Sequence, residues 1–180
     1  SLFRQWTMVA ALIAITQGQA LDELPELALV GLDLPGIQTM VYTITARGAG
    51  KGVRGRSAFI QLLISTIVER LLDELDLCRS NVIINAGGNA LLLCRYDTAL
   101  PKKLQEVEQS INAILFNGDN YRLPFAGFKG DLFLALAHTQ LPHSALYYPA
   151  EQILDEELGK YVSPWQYHEK RLKEALGTAK

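Results

Sequence analysis

The sequence predicts an α+β fold, in which helices pack on one face of a four-stranded antiparallel sheet and helical extensions flank it at both ends. Three patterns support this prediction: an almost unbroken apolar run at 27–32, a long amphipathic stretch at 57–77, and two short apolar runs on either side of a glycine pair at 87–88. With a second helix and a last strand, the order becomes strand, helix, hairpin, helix, strand. This order is the ferredoxin-like βαββαβ plan.

The N-terminal part of the chain predicts one helix and the first strand. Leu2–Gln17 has a helical pattern, and Gln19–Glu26 is a proline-containing connector. Leu27–Leu32 is apolar at nearly every position, as expected for a central strand that is buried on both faces. The apolar run stops at Asp33 and Pro35, which end the strand.

Two helices are predicted after the first strand, and glycines separate them. Ile37–Thr45 is predicted to be helical, and the glycine-rich stretch Gly48–Gly55 interrupts it. Ser57–Leu77 has the clearest helical pattern in the chain, because its apolar residues recur at intervals of three and four positions. These residues are Ile60, Leu63, Ile64, Ile67, Val68, Leu71, Leu72 and Leu75.

The remaining segments complete the plan. Val82–Asn85 and Ala90–Cys94 flank the glycine pair and predict a β-hairpin. A helix is predicted over Lys102–Phe116, because a proline precedes it and Asn-Gly follows it. Asp131–His138 predicts the last strand, and Ala150–Leu176 predicts a mostly helical tail.

The composition indicates a single globular unit without a strong overall charge. The chain has 180 residues, of which 49% are hydrophobic and 20% charged, with a net charge of −2, so a polyanion site would need a local basic patch. Two cysteines and three histidines indicate neither a disulfide framework nor a zinc cluster, which fits a reducing cytoplasm. The apolar run Met8–Ile15 is shorter than the roughly 20 residues of a membrane span.

The predicted elements divide the chain into three regions. Residues 1–24 form a linking helix, 25–145 the ferredoxin-like domain, and 146–180 a C-terminal helical extension. The same domain plan forms the palm of many polymerases and nucleotide cyclases. Unrelated proteins share it as well, so the fold alone does not establish the chemistry.

A catalytic palm holds two metal ions with carboxylates from the end of the first strand and from the hairpin tip. Asp33 has the first of these positions, whereas the hairpin tip is Gly87, Gly88 and Asn89 and carries no acid. One carboxylate beside neutral groups is a weak ligand set for Mg²⁺. The sequence therefore predicts neither a metal site nor a catalytic residue in this chain. Alternatively, Asp33 serves as a cap for the turn before Gly36.

A cationic stretch precedes the long helix. No acidic residue occurs between Asp33 and Glu69, and four basic residues lie within ten positions among glycines: Arg47, Lys51, Arg54 and Arg56. Glycines let the backbone approach an anion, and the predicted helix N-terminus at about Ser57 would offer free N–H groups to phosphate. The alternative is a solvated basic loop. The stretch is not a P-loop, because Lys51 is not followed by Ser or Thr.

Three segments together resemble a known family. The run from Leu32 to Gln38, then Tyr42, then the run from Lys51 to Ser57 is similar to the pattern D-x-S-G-I-Q, an aromatic residue, and K-x-x-R-G-R-S. This pattern is found in the first palm of the large, polymerase-like subunit of type III CRISPR–Cas effector complexes. The segments 81–89 and 130–137 resemble the hairpin and last palm strand of that family. Pro35 stands where the family usually has Ser, so a hydroxyl contact to nucleotide is absent there.

The resemblance implies a role in antiviral defence within a longer protein of the cytoplasm, with no membrane contact. In the family, a second palm bears a GGDD motif, ATP with Mg²⁺ binds between the palms, and target RNA triggers synthesis of cyclic oligoadenylate. The parent would be a nucleotidyltransferase with a nuclease domain, and its other partners would be guide RNA and further subunits. No GGDD occurs here, so we expect this chain to be inactive alone and to hold no cofactor tightly. The implied nucleotide-binding residues are Asp33, Gly36, Gln38, Lys51, Arg54, Gly55, Arg56, Ser57, Gly87, Gly88 and Asn89.

Two other functions remain open at this point. The chain would be a structural scaffold if its basic stretch docks on guide RNA or on a neighbouring subunit. A stand-alone diguanylate-type cyclase is disfavoured, because the hairpin tip lacks a carboxylate.

Overall fold

The strands and helices follow the predicted βαββαβ order. The computed structural model describes residues 9–13, 15, 25–42, 49–117, 128, 130–142, 144–147, 153–157 and 159–178. The elements are β1 (Leu27–Asp33), α1 (Ile37–Tyr42), α2 (Ala49–Glu74), β2 (Val82–Ala86), β3 (Asn89–Arg95), α3 (Leu100–Phe116), β4 (Ala135–Leu141), α4 (Ser144–Tyr147), β5 (Ile153–Asp155), β6 (Lys160–Val162) and α5 (Pro164–Thr178). No described helix is long and apolar enough to cross a membrane.

The main sheet has four strands in the order β2-β3-β1-β4, and all neighbouring strands are antiparallel. This confirms the predicted sheet. Strand β1 lies in the interior and is buried along almost its whole length, which explains why its sequence is continuously apolar. Leu27 at one end of β1 is opposite Arg95, and Asp33 at the other end is opposite Asn89.

A hydrophobic core lies on each face of this sheet. On one face, alternate β1 residues such as Val30 and Leu32 pack with the apolar sides of α2 and α3, as predicted. On the other face, Leu27 and Leu29 pack with Leu172 of α5. The backbone of β1 lies so close to α5 that a Cβ atom at Gly31 would be 2.9 Å from Leu176 Cδ1. The C-terminal helix therefore covers the second face of the sheet.

Helix α2 begins at Ala49, whereas the sequence predicted a basic, glycine-rich loop before a helix start at Ser57. That prediction is wrong. Each glycine costs a helix roughly 1 kcal/mol relative to alanine, but tertiary contacts outweigh this cost. Val53 packs against the core, and Arg56 Nη1 donates a hydrogen bond to the Met40 carbonyl at 3.0 Å.

Part of the tail also differs from the prediction, because β5 and β6 form a hairpin where a helix was expected. Gly159 turns this hairpin with φ of +60°. The buried Asp155 accepts hydrogen bonds from Lys170 Nζ of α5, at 2.9 Å to both carboxylate oxygens. These long-range bonds fix the hairpin to α5, and the local sequence pattern does not show them.

The last strand begins four residues later than predicted, at Ala135. Before it, Asp131 N–H donates to the Phe128 carbonyl in a turn, and the Asn112 side chain of α3 bonds both backbone groups of Leu134. These backbone groups are therefore not available to the sheet. Of the predicted first helix, residues 9–13 and 15 are helical, and its other positions lie outside the described residues, as do 43–45.

Candidate functional site at the end of the central strand

The end of β1 meets the tip of the β2–β3 hairpin. Asp33 is directly opposite Asn89, and the Leu34 N–H donates to the Gly88 carbonyl at 3.1 Å. Gly87 and Gly88 have φ of +64° and +99°, so they form a two-residue turn whose backbone suits glycine. The structure thus brings together four residues that the sequence assigned to the site: Asp33, Gly87, Gly88 and Asn89.

Helix α1 packs directly against this hairpin. Gly36 has φ of +95°, and a Cβ atom there would lie only 1.7 Å from the Asp131 carbonyl oxygen. Its own carbonyl accepts a hydrogen bond from the Met40 N–H at 2.9 Å, which forms the first turn of α1. On the other side, a Cβ at Gly88 would lie 2.3 Å from Ile37 Cδ1. Glycine is therefore required at Gly36, where a Cβ would meet backbone, whereas at Gly88 a Cβ would displace only the end of the Ile37 side chain.

The basic residues lie on α2 rather than on a loop. Arg54, Gly55 and Ser57 are exposed, whereas Arg56 is half-buried and holds α2 to α1 through the Met40 carbonyl. Because α2 begins about two turns before Ser57, the backbone N–H groups near Ser57 are inside the helix. The predicted anion site of free N–H groups at Ser57 is wrong.

Other predicted positions are less fully described. The Lys51 backbone belongs to the first turn of α2, and its side chain lies outside the described residues, as does all of Arg47. Gln38 is exposed in α1. Helix α1 therefore connects the two parts of the predicted site, because Gly88 contacts its start and Arg56 bonds its Met40 carbonyl.

The two parts lie toward opposite faces of the sheet. Asp33 is two positions after Gly31, which faces Leu172 and Leu176, so its side chain is on the α5 face. Helices α1 and α2 belong to the core on the other face. The residues that the sequence grouped into one site thus surround the end of the sheet.

A cavity of about 470 Å³ adjoins Asp33 and Asn89, and the sequence did not predict it. Its apolar lining includes Leu91 and Leu172, and α5 contributes Glu169 and Lys173 as polar groups. These two side chains pair at 2.8 Å, with the Lys173 side chain 71% exposed. The only feature of the sequence that pointed to this cavity was the amphipathic spacing of leucines in α5. That spacing does not show which face of the sheet the helix covers.

The residues at the strand end do not form a metal centre. Asp33 faces the neutral amide of Asn89 across β1 and β3, where a two-metal site needs further carboxylates. In the described part of the chain, no group of three or more His, Cys, Asp or Glu side chains is arranged to hold a metal ion. A magnesium ion does not fit these residues alone.

Comparison with known proteins identifies the family. The family model described as Csm1 subunit domain B matches residues 26–175, which include the main sheet and most of α5. The chain belongs to this family. The match confirms the predicted resemblance to the palm of the large subunit of type III CRISPR complexes.

Curated relatives of the chain carry one name, CRISPR system single-strand-specific deoxyribonuclease Cas10/Csm1 of subtype III-A. The chain is 29% identical to the Enterococcus italicus protein over 145 residues, which is 80% of this chain and 17% of that protein. It is 31% identical to the Thermococcus onnurineus protein over 108 residues, which is 60% of this chain and 13% of that protein. The chain thus spans less than a fifth of the length of these relatives.

Solved structures of Csm1 share the fold. The crystal structure of Csm1 from T. onnurineus matches with a TM-score of 0.64 and 28% identity, over 85% of this chain and 19% of that one. A Csm1–Csm4 cassette in complex with one ATP matches with a TM-score of 0.71 and 26% identity, over 99% of this chain and 23% of that one. Family, relatives and fold all assign the chain to a subunit of type III CRISPR systems.

Proposed function

We propose that this chain is a nucleotide-binding palm without catalytic activity of its own, which contributes half of a composite site for cyclic oligoadenylate synthesis in antiviral defence. The observation that carries the proposal is the pairing of Asp33 with Asn89. This pair leaves a nucleotide-sized cavity beside one carboxylate and one amide. It can bind polar groups of a nucleotide, but it lacks the carboxylates of a two-metal centre.

The solved relatives support nucleotide as the ligand. Csm1–Csm4 cassettes have been crystallised with ATP, with AMPPNP and with cA4. In this chain, the adjoining cavity of about 470 Å³ is within the usual range of small-molecule sites, roughly 300–1,000 Å³. The exposed Arg54 on α2 offers a cation for phosphate. We assign ATP to this end of the sheet.

The proposal requires a second palm. Magnesium and the remaining carboxylates would come from a GGDD-bearing palm, and ATP would lie between the two domains. In the parent protein we expect a nuclease domain as well, together with guide and target RNA and further subunits as partners. We also retain the regions 1–24, 25–145 and 146–180 as proposed domain boundaries, and a cytoplasmic location.

A calorimetric titration of the chain with ATP tests the binding role. We expect saturable binding, and Arg54→Gln should weaken it by about tenfold if the guanidinium makes a charge-assisted hydrogen bond to phosphate. Arg70→Gln is the matched control, because Arg70 is an exposed α2 arginine that pairs with Glu74 on the same helix. Absence of ATP binding to the chain, alone and beside a GGDD palm, would reject the proposal.

A scaffold role is the second candidate, and the cassette structures favour a protein partner for it. Relatives of this chain were crystallised with Csm4 bound. In this alternative the chain binds a neighbouring subunit and no nucleotide. A parallel titration with single-stranded RNA and with a Csm4-type subunit separates the alternatives, since a pure scaffold would bind one of these partners and ignore ATP.

A further inference from the structure

A second groove lies at the opposite end of the sheet from the candidate ATP site. Its volume is about 670 Å³, and it curves around the end of β4, an edge strand. Chemically active side chains from four parts of the fold line it: Glu26, Tyr96, His138, His168 and Arg171. Leu27, at the start of β1, also lines this groove, whereas Asp33 ends the same strand at the other site.

Two near-parallel, stacked aromatic rings line the groove. Tyr96 and His138 stack with ring centroids 6.3 Å apart and an interplanar angle of 22°. The Tyr96 N–H donates to the Glu26 carbonyl at 2.7 Å, which fixes the backbone at this point. Burial lowers the pKa of His138, so its imidazole is neutral at pH 7. An uncharged aromatic surface of this kind suits a nucleobase, because every base has a π-face.

His168 supplies a polar group that lacks a partner. Its Nδ1 atom is buried, and no described residue makes a hydrogen bond to it. Burial, and secondarily the nearby Arg171, lower its pKa, so the ring is neutral at pH 7. Buried polar atoms are nearly always hydrogen-bonded, so an unpaired one requires an explanation. The buried atom itself is out of reach of a ligand, so His168 contributes only its neutral ring to the lining of the groove.

Arg171 provides a positive charge at the groove. It is exposed, and its guanidinium lies 5.9 Å from the centroid of the Tyr167 ring. Among the described residues that line the groove it is the single permanent cation, and Glu26 contributes a carboxylate. The guanidinium attracts phosphate, and a single cation favours a nucleotide with one phosphate group over a triphosphate. A metal ion is not the occupant, because the described residues include no cluster of three metal-binding side chains.

We propose that this groove binds a nucleotide with one phosphate group, its base on the Tyr96–His138 rings and its phosphate at Arg171. The nucleotide is either a free nucleoside monophosphate or one unit of a single strand, which an open groove admits. This proposal does not depend on the ATP site, which lies at the other end of β1.

Fluorescence anisotropy with labelled pentaadenylate tests the proposal on the whole chain. We expect saturable binding that Tyr96→Leu weakens about tenfold, because one stacked base is lost. Tyr96→Phe keeps the ring and should retain binding, which separates stacking from a folding defect. Arg171→Gln should weaken binding and lower the slope of log affinity against log salt by about 0.7, as for one phosphate contact on a single strand.

Controls and competitors define the ligand. Arg70→Gln should leave pentaadenylate binding unchanged, because Arg70 does not line this groove and pairs with Glu74. If AMP displaces the labelled pentaadenylate at a concentration similar to that of unlabelled pentaadenylate, the ligand is the free mononucleotide. If only oligonucleotides displace it, the ligand is a single strand. Either result supports the proposal. It is overturned if pentaadenylate and AMP both fail to bind, or if Tyr96→Leu and Arg171→Gln bind as well as the unmodified chain.

Discussion

Two adjacent glycines at the hairpin tip should differ in how much alanine destabilises the fold. Both Gly87 and Gly88 have positive φ, so a side chain at either position strains the backbone. At Gly87 a Cβ atom meets nothing within 4 Å, whereas at Gly88 it would lie 2.3 Å from Ile37 Cδ1. Comparison of the two alanine variants therefore separates the cost of backbone strain from the cost of steric contact with α1.

The magnitudes follow from these contacts. Gly87→Ala has only the cost of an alanine in the left-handed region, about 1 kcal/mol. Gly88→Ala has a similar backbone cost and must also shift the terminal methyl of Ile37, which adds about 1 kcal/mol for a side chain forced off its rotamer. The effect of Gly→Ala on the unfolded chain is similar for both variants and cancels in the comparison. We expect Gly88→Ala to be less stable than Gly87→Ala by about 1 kcal/mol.

Equilibrium unfolding in urea, followed by circular dichroism, measures this difference as a shift in midpoint at constant m-value. Equal losses of stability for the two variants, or a larger loss for Gly87→Ala, would refute the inferred packing of α1 against the hairpin.

Three further predictions concern the rest of the fold. Asn112→Ala removes both side-chain hydrogen bonds to the backbone before β4 and should lower the free energy of unfolding, measured by urea unfolding, by about 2 kcal/mol. As a control, alanine in place of an exposed glutamine of α3 should have little effect on stability. Burial raises the pKa of Cys94 to about 12, so iodoacetamide at pH 7.5 should label exposed Cys78 and spare Cys94, as mass spectrometry of peptides will show. Burial lowers the pKa of His138 and His168 below their unfolded value of about 6.5. The unfolded chain then binds more protons than the folded chain as the pH falls. The stability that the two buried imidazoles contribute is therefore complete above pH 6.5 and decreases as the pH falls toward the folded pKa. A double His→Gln variant should lose less stability than the unmodified chain between pH 7.5 and 5.5.

Specific outcomes would contradict these three predictions. A loss below about 0.5 kcal/mol for Asn112→Ala would mean that α3 does not anchor the start of β4. Labelling of both cysteines at equal rates would place Cys94 at the surface. An identical pH dependence in the double histidine variant would exclude the buried, neutral state of the two imidazoles.

The sequence sufficed for the elements whose signals are local. Strand β1 is continuously apolar because both of its faces are covered, and the turn at Gly87 and Gly88 needs two residues with positive φ. Both features can be recognised from neighbouring residues. The paired ends of β1 and β3 followed from this order, so the grouping of Asp33 with the hairpin tip was predictable.

The features that the sequence missed depend on distant contacts. Local glycine content favoured a loop before Ser57, but α2 begins at Ala49 and Arg56 bonds Met40 of another helix. Similarly, the tail pattern shows an amphipathic helix without showing that Leu172 packs over β1. Lys173 and Glu169 therefore could not be assigned to the cavity beside Asp33 in advance, because that cavity exists only once α5 covers the sheet.

The most direct test of the account is incubation of the chain with ATP and either Mg²⁺ or Mn²⁺, followed by chromatography for pyrophosphate and for linear and cyclic adenylates. Because Asp33 faces an amide at Asn89, we predict no product from the chain alone and product only after a GGDD-bearing palm is added. Robust turnover by the isolated chain that Asp33→Ala abolishes would contradict the account.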